Sequence, residues 1–358
     1  MTPPSDLRPI ALCLTGFGAV HQQFARILLD KADHLARAFG LLPRVVAVAD
    51  RGGMIYRADG LDLDALLAHK AAGKSVVTFE AVGAQAVGAL AALRPLPIFD
   101  ILLEATPVNL TDGEPGLSYV HWALAQGRPV VLANKSPLVL DYAGLHTLAR
   151  DHGARLAFSA TVCGGLPVLN VGRRDLVGAT IHRVEGIFNS TTNYILSQVQ
   201  AGRGIDEALA EAQRRGIAEA DPSLDLGGWD TANKLVIIAN AVLGYPARLE
   251  DVKVTGIEGW RGLEPRPGAA RAGVYKLVAR AERRPDGAYR LAVGPELLPA
   301  DHFLAGVSEW QMGIVFYTDI YEEVYLKIDE RGPMATAAAM LRDVLGLASA
   351  GPVSRRAG

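Results

Sequence analysis

The residues of this sequence that offer chemistry by type and spacing lie in "GIAEADPSLDLGGWDTANK", Gly216–Lys234. Glu219, Asp221, Asp225 and Asp230 precede one base, Lys234, and the apolar run "LVIIANAVL" follows. Asp230 and Lys234 are four apart at the head of that apolar helix, so they share a face and can pair. The lysine stem lies beside a face that must be buried, where an unpaired ammonium is costly. A lysine tuned by burial and an adjacent carboxylate is a candidate for proton transfer. Glu219, Asp221 and Asp225 crowd a loop stiffened by Pro222, and acids so crowded repel unless a cation lies among them. Taken singly they read as solvated loop residues; taken together they read as a site that receives a cation, whether a substrate ammonium, Lys135 or Lys234.

A second group of residues sits near the N-terminus. "LTGFGAVHQQF" puts Gly16, Phe17, Gly18, Ala19 and Val20 directly after an apolar strand and at the start of a helix. Glycines there admit a pyrophosphate close to the backbone, and the helix N-terminus stabilises its charge. His21 stands where a third glycine is usual, and reads as a residue of the helix face rather than a ligand. Asp50 ends the second strand, where an acid bonds the ribose hydroxyls of NAD, whereas Arg51 beside it suits the 2'-phosphate of NADP. The sequence leaves both open. Lys135, in "VVLANKSPL", follows a strand and precedes Pro137 at a helix start. Ligands of open parallel sheets bind at such strand ends, so Lys135 is placed to meet both nicotinamide and substrate.

The elements that must position these residues alternate in the first 150 positions. Strands are expected at "IALCLTG", "RVVAVAD", "FDILLEA" and "PVVLAN", and helices from near Ala19, Asp62, Pro115 and Pro137, giving an α/β doubly wound Rossmann domain. From 151 to about 320 the texture is that of a second α+β domain for catalysis and dimerisation. Its strands are expected at "ARLAFSATVCGG", "TIHRVEGIFNS", "AGVYKLVARAE" and "AYRLAVGPELL", and its helices from near Thr192, Asp206 and Asp230. "GIVFYTDIYEEVYLKI" and "TAAAMLRDVLGL" read as two strands and a helix, and the segment at about 320–350 is expected to return to the first domain. The tail "GPVSRRAG" reads as disordered.

The 358 residues are half hydrophobic and 21% charged, with a formal net charge of −2, which disfavours disorder and an electrostatic grip on nucleic acid. No run approaches the roughly 18 apolar residues of a membrane span, and no signal peptide is expected. Two cysteines, Cys13 and Cys163, make no disulfide framework and fit a reducing cytoplasm. A small-molecule substrate is therefore expected.

The ordered set "GFGAV", "EATPVNLTDGEPG", "VVLANKSPL", "ATVCGGLPVL", "GIFNSTTNYIL", "GIAEADPSLDLGGWDTANKL" and "LLPADHFLAGV" resembles the homoserine dehydrogenase family, from Ile10 to about Leu345. The resemblance implies reduction of aspartate 4-semialdehyde to homoserine with NADP or NAD, a step towards threonine and methionine, by a homodimer. It implies Lys135 and Lys234 as catalytic lysines and Asp230 as the residue that orients Lys234. Glu219, Asp225, Thr191 and Ser190 would bind substrate, and Thr106 would join the cofactor residues. A monovalent cation, Na+ or K+, would sit on the carbonyls of Val162 and Gly164. Four departures stand out: Ser190 for a glycine, Ile217 for a tyrosine, Ser159 for an acid, and "IDERGPMATAAA" for a glycine-rich stretch. Ser190 and Ile217 motivate an alternative, an oxidoreductase of another small hydroxy compound; the last departure motivates a dinucleotide-bound sensor without turnover. The sequence ends soon after its last helix, so no regulatory amino-acid-binding domain is expected.

Overall fold

A computed structural model of the chain describes residues 7–79, 99–219, 221–258 and 273–349, so the expected disordered tail lies outside the described residues. It divides into two compact units, Met1–Gly164 with Gly332–Gly358, and Gly165–Arg331. The breaks fall beyond the 150 and 320 suggested by texture, because Leu156–Ala157 still pairs in the first sheet and Glu323–Asp329 still pairs in the second.

The first unit is built on β1 (Arg8–Thr15), β2 (Leu41–Asp50), β3 (Gly53–Tyr56), β4 (Ile101–Glu104), β5 (Val130–Leu132) and β6 (Leu156–Ala157), in the order β3-β2-β1-β4-β5-β6. All pairs are parallel except β2 with β3. The apolar runs of β1, β2, β4 and β5 are buried on both faces, as parallel strands sandwiched by helices must be. The crossover helices are α1 (Ala19–Asp30), α2 (Ala32–Phe39), α3 (Leu63–Ala71), α4 (Gly116–Ala125) and α5 (Ser136–Asp151). Strand order reverses between β1 and β4, where Thr15 is the register partner of Glu104. That reversal opens the crevice in which doubly wound sheets bind ligands.

The C-terminal helix, Met334–Ser349, belongs to this unit: Met340, Val344 and Leu347 share a core with Phe24 and Leu28 of α1. Arg8 and Arg155 donate to the carbonyls of Ala348 and Leu347, satisfying acceptors that a helix end leaves bare.

The second unit carries β7 (Ile181–Ile187), β8 (Val252–Val254), β9 (Gly273–Arg283), β10 (Tyr289–Pro299), β11 (Gln311–Thr318) and β12 (Glu323–Asp329), ordered β12-β11-β7-β9-β10-β8. Pairing is antiparallel save β8 with β10. Helices α6 (Ser190–Gln200), α7 (Ile205–Arg214) and α8 (Trp229–Ala241) lie between β7 and β8 in the chain; α6 and α8 pack on β9. Both helices are buried along much of their length.

The segment "ARLAFSATVCGG" departs from expectation and is no strand of the second sheet: only Leu156–Ala157 is extended, and it pairs with β5. Ser159–Thr161 turns into a single 3-10 helical turn, and Cys163 and Gly164, both at φ 54°, take a left-handed course that no strand follows. β3 and β8 are short additions that no hydrophobic period announces.

Candidate active site

The glycine turn of the first unit is as tight as its spacing implies. Gly16 takes φ 82°, and a Cβ there would lie 2.6 Å from the Ala105 carbonyl oxygen. Gly18 is the opposite case: it is exposed, caps α1, and has nothing within 4 Å of a notional Cβ, so backbone is open to a ligand. Phe17 is buried beneath the turn, while Ala19 is exposed and Val20 half-buried. His21 lies in α1 on its buried face, and its Nδ1 donates to the Gly16 carbonyl at 2.8 Å. Burial lowers its pKa to about 4, so the ring is neutral and braces the turn from below.

Asp50 at the end of β2 is held by Gly52 N at 2.8 Å, Lys70 Nζ at 3.2 Å, Val76 N at 3.3 Å and Ser75 Oγ at 3.4 Å. Arg51 is exposed. Lys70, which sequence reasoning does not reach, thus shares the Asp50 carboxylate that would bond a ribose; twenty residues separate them, and no local pattern links them.

At the carboxyl ends of β4 and β5 a buried polar chain runs across the sheet. Thr106 donates its N–H to Glu104 Oε1 at 2.8 Å and its hydroxyl to the same oxygen. Asn134 Nδ2 donates to the Thr106 hydroxyl at 3.2 Å, Ser136 N donates to Asn134 Oδ1 at 3.0 Å, and Asn109 N donates to Ser136 Oγ at 2.8 Å. Lys135 sits inside this chain, half-buried, as the residue that caps α5. Further along the unit, Asp343 of the C-terminal helix accepts from Ser159 N at 2.7 Å and Ser159 Oγ at 2.6 Å. The carboxylate missing from position 159 is therefore supplied from position 343, beside the turn that holds the buried Val162 and the half-buried Gly164.

In the second unit the acids find their partners. Asn189 ends the segment after β7 and caps α6, its Oδ1 accepting from Thr192 N at 2.9 Å. Its Nδ2 donates to Asp225 Oδ1 at 2.7 Å and to Asp230 Oδ2 at 2.9 Å. Lys234 Nζ donates to that same Asp230 oxygen at 2.6 Å and to the Phe188 carbonyl at 2.5 Å. Gly228, at φ 81°, makes the left-handed corner that starts α8 two residues before Asp230. Asp225 has its pKa raised by burial and by the neighbouring Asp230 charge. Thr191 donates its hydroxyl to the Ile217 carbonyl at 2.9 Å, and Ser190, half-buried, begins α6.

Of the four acids, then, Asp225 and Asp230 are gathered around Asn189 and Lys234. Glu219 and Asp221 face solvent: Gln213 bonds the Glu219 backbone carbonyl at 3.2 Å, and Asp221 bonds Ser223 N at 3.1 Å. No hydrogen bond joins the Glu219 carboxylate to the cluster among the described residues. Asn189 does not stand out as functional in the sequence, although an Asn before a helical run is itself a capping signal. Lys276, also unforeseen, is buried beneath α6 and donates to Asn193 Oδ1 at 2.9 Å and the Val307 carbonyl at 2.5 Å. Burial lowers its pKa to about 8.

A doubly wound sheet with a ligand-open glycine turn at its switch point, in a chain that also holds a carboxylate-paired lysine, defines a dinucleotide-dependent oxidoreductase. The family model "Homoserine dehydrogenase" matches residues 167–345, and "Glutamate/Leucine/Phenylalanine/Valine dehydrogenase" matches residues 11–109. The NAD(+)-dependent homoserine dehydrogenase of Pseudomonas canavaninivorans is 34% identical, over 93% of this chain and 95% of its own. A putative homoserine dehydrogenase structure from Archaeoglobus fulgidus is similar at a TM-score of 0.81 and 34% identity, covering 94% of this chain and 99% of that one. A hyperthermophilic archaeal homoserine dehydrogenase in complex with NADPH is similar at a TM-score of 0.81 and 27% identity, covering 96% and 99%. The chain belongs to the homoserine dehydrogenase family, whose members are NAD(P)-dependent oxidoreductases.

Proposed function

We propose that this chain interconverts L-homoserine and L-aspartate 4-semialdehyde, with Lys234 as the proton donor in the reducing direction. The Asp225–Asn189–Asp230–Lys234 cluster is the observation that carries this reading. A dinucleotide, when bound, would supply the hydride for the carbonyl carbon. Lys234 delivers a proton to the carbonyl oxygen, and Asp230, 2.6 Å from its ammonium, keeps it charged and aimed. Asp225 is the acid best suited to a substrate ammonium: raised by burial and a like charge, it gains most from an arriving cation. Thr191 and Ser190 shape the start of α6 beside it, and Glu219, exposed on the same loop, is a further acid for the substrate ammonium. Lys135 is assigned to the same reaction, supported by its place in the polar chain at the strand ends.

Gly16, Gly18 and the α1 N-terminus would hold the pyrophosphate, with Thr106 and Lys135 at the nicotinamide end and Asp50 or Arg51 at the ribose end. The open Gly18 and the buried brace of His21 support that assignment. Val162 and Gly164 are retained as carbonyl donors for sodium or potassium, supported by the left-handed turn at Cys163 and Gly164. A homodimer is part of the reading, supported by the exposed Ile320, Tyr321 and Tyr325 at the β11–β12 hairpin. Buried thiols at Cys13 and Cys163, with no disulfide between them, support a cytoplasmic setting. Among the described residues no helix is long and apolar enough to cross a membrane.

Ser190 and Ile217 lie against Asn189 and Thr191 in the chain and the hydrogen-bond pattern, which keeps a second substrate in view: another small hydroxy compound. Assay of L-homoserine beside a panel of hydroxy acids and alcohols decides. Homoserine turnover well above the panel is expected; turnover of another compound with homoserine silent would transfer the mechanism to that substrate. Dinucleotide binding without any turnover would mark a sensor.

A further inference from the structure

Among the described residues of the first unit, Glu104 is a fully buried acid at the switch point itself, with no part in the proton transfer assigned to Lys234. It is the last residue of β4 and the register partner of Thr15, the residue before the glycine turn. The turn packs directly on the two residues after Glu104: Ala105 N donates to the Thr15 carbonyl at 2.9 Å, and a Cβ on Gly16 would collide with Ala105 and Thr106 backbone. One carboxyl oxygen, Oε1, takes both Thr106 donors. The other, Oε2, is buried with no partner among the described residues. A Cβ on Gly116 would lie 3.0 Å from Oε1, 3.0 Å from the Thr106 hydroxyl and 2.7 Å from Asn134 Nδ2, so the three groups are clamped from the α4 side as well. Among the described residues the carboxyl forms no ion pair; its partners are a hydroxyl and amides.

We propose that Glu104 is a positioning residue for the nicotinamide end of the cofactor site, neutral when a reduced dinucleotide is bound and ionised in favour of an oxidised one. The proposal rests on the cofactor reading above and adds to it a role for this carboxyl. The oxidised nicotinamide ring carries a positive charge and the dihydronicotinamide ring is neutral. An acid without a resident counter-charge, placed where the strand order reverses, gains a counter-charge only when the oxidised ring arrives. Oxidised dinucleotide then binds with release of the Glu104 proton to solvent; reduced dinucleotide binds with the proton retained. The Thr106 hydroxyl and Asn134 amide follow the carboxyl, so its charge state also sets how firmly those two strand ends are held.

Tyr119, Cys13 and His21 are all shifted away from neutrality. Burial first, helped by Glu104 itself, Cys13 and Glu114, raises Tyr119 of α4 to about 12, and burial raises the Cys13 thiol of β1 as well. His21 under the glycine turn titrates near 4. Glu104 is raised to about 7, chiefly by burial and against the opposing bonds from Thr106 and Asn134. Asp112, Glu114 and Lys135 are the remaining charged residues on the flanking turns.

The test is the dissociation constants of oxidised and reduced dinucleotide, measured for the full chain and for Glu104→Gln between about pH 6 and about pH 8.5. Both members of an NAD or NADP pair carry the same phosphates, so their ratio cancels phosphate titration. In the wild type the preference for the oxidised form is expected to grow on the order of fivefold across that range, as one partly screened unit charge allows. In Glu104→Gln, which keeps an acceptor for Thr106 but cannot ionise, the ratio should be flat. Parallel profiles in both proteins would overturn this proposal alone; absence of dinucleotide binding by the wild type would overturn the cofactor reading with it. A second measurement needs no variant: calorimetry of the wild type near pH 7 in buffers of different ionisation enthalpy. It should show proton release with oxidised dinucleotide and none with reduced, and equal proton exchange for the two would contradict the proposal.

Discussion

Each unit buries carboxylates next to an asparagine, and the two solve the cost of burial differently. In the second unit Asp225 and Asp230 share Asn189, and Asp230 is neutralised by Lys234 on the next turn of its own helix. In the first unit Glu104 is bonded by Thr106 and reached by Asn134, and it forms no ion pair among the described residues. Coulombic pairing makes the second unit's arrangement a charged one that survives burial; desolvation raises the first unit's carboxyl to about 7, so that its charge changes near physiological pH. The contrast teaches that pairing lets a buried cluster stay charged, while an acid without an ion pair is left free to change charge.

The largest expected effect comes from removing the cation. Lys234→Ala should lower turnover on the order of a thousandfold, the range of a lost general acid, with dinucleotide binding unchanged by fluorescence titration. Unaltered turnover would break the comparison, because the paired cluster would then be structural. Next, Asp230→Asn should cost on the order of a hundredfold in kcat, since Lys234 loses the carboxylate that aims it. An unchanged kcat would show that Asp230 does not position the lysine.

Asp225 sharpens the comparison through stability. Its folded pKa is raised, so its contribution is favourable at low pH and is lost as pH rises through the folded value. Asp225→Asn should therefore match the wild type in acid and exceed it near neutrality by about 2–4 °C in Tm, while raising the KM for an amino-acid substrate. An equal gain at every pH would remove the charge argument. Asp343→Ala, which strips the acceptor from Ser159 N and Oγ, should cost about 1–3 kcal/mol in chemical denaturation, with Ser159→Ala smaller. The smallest effect is expected at Asp221→Asn, within about twofold in kcat and KM, because that exposed acid is engaged by Ser223 of its own loop.

Much of this is legible in the residues. The first sheet shows itself in apolar runs with turns and helix starts between them, and the Gly16-x-Gly18 turn and the Asp230–Lys234 spacing announce their own geometry. What local pattern cannot carry is pairing across the chain. Asp343 replaces an acid missing at Ser159 from 184 residues away. Asn189 reaches Asp225 and Asp230 across 36 and 41 residues, so the loop acids can be grouped by sequence but not sorted into those that join and those that face water. "ARLAFSATVCGG" misleads because apolar, β-branched content resembles a strand, whereas a left-handed Cys163 and Gly164 are visible only in the backbone. Glu104 is easily passed over within its motif; one acid ending a wholly apolar strand is the available signal.

The most direct test of Lys234 as proton donor is one assay: NAD(P)H absorbance with L-homoserine and with aspartate 4-semialdehyde, for the wild type and for Lys234→Ala shown to bind dinucleotide. Turnover by the wild type that collapses in the variant is the predicted result. Turnover that survives in Lys234→Ala, or a dinucleotide-bound wild type silent on both substrates, would contradict it.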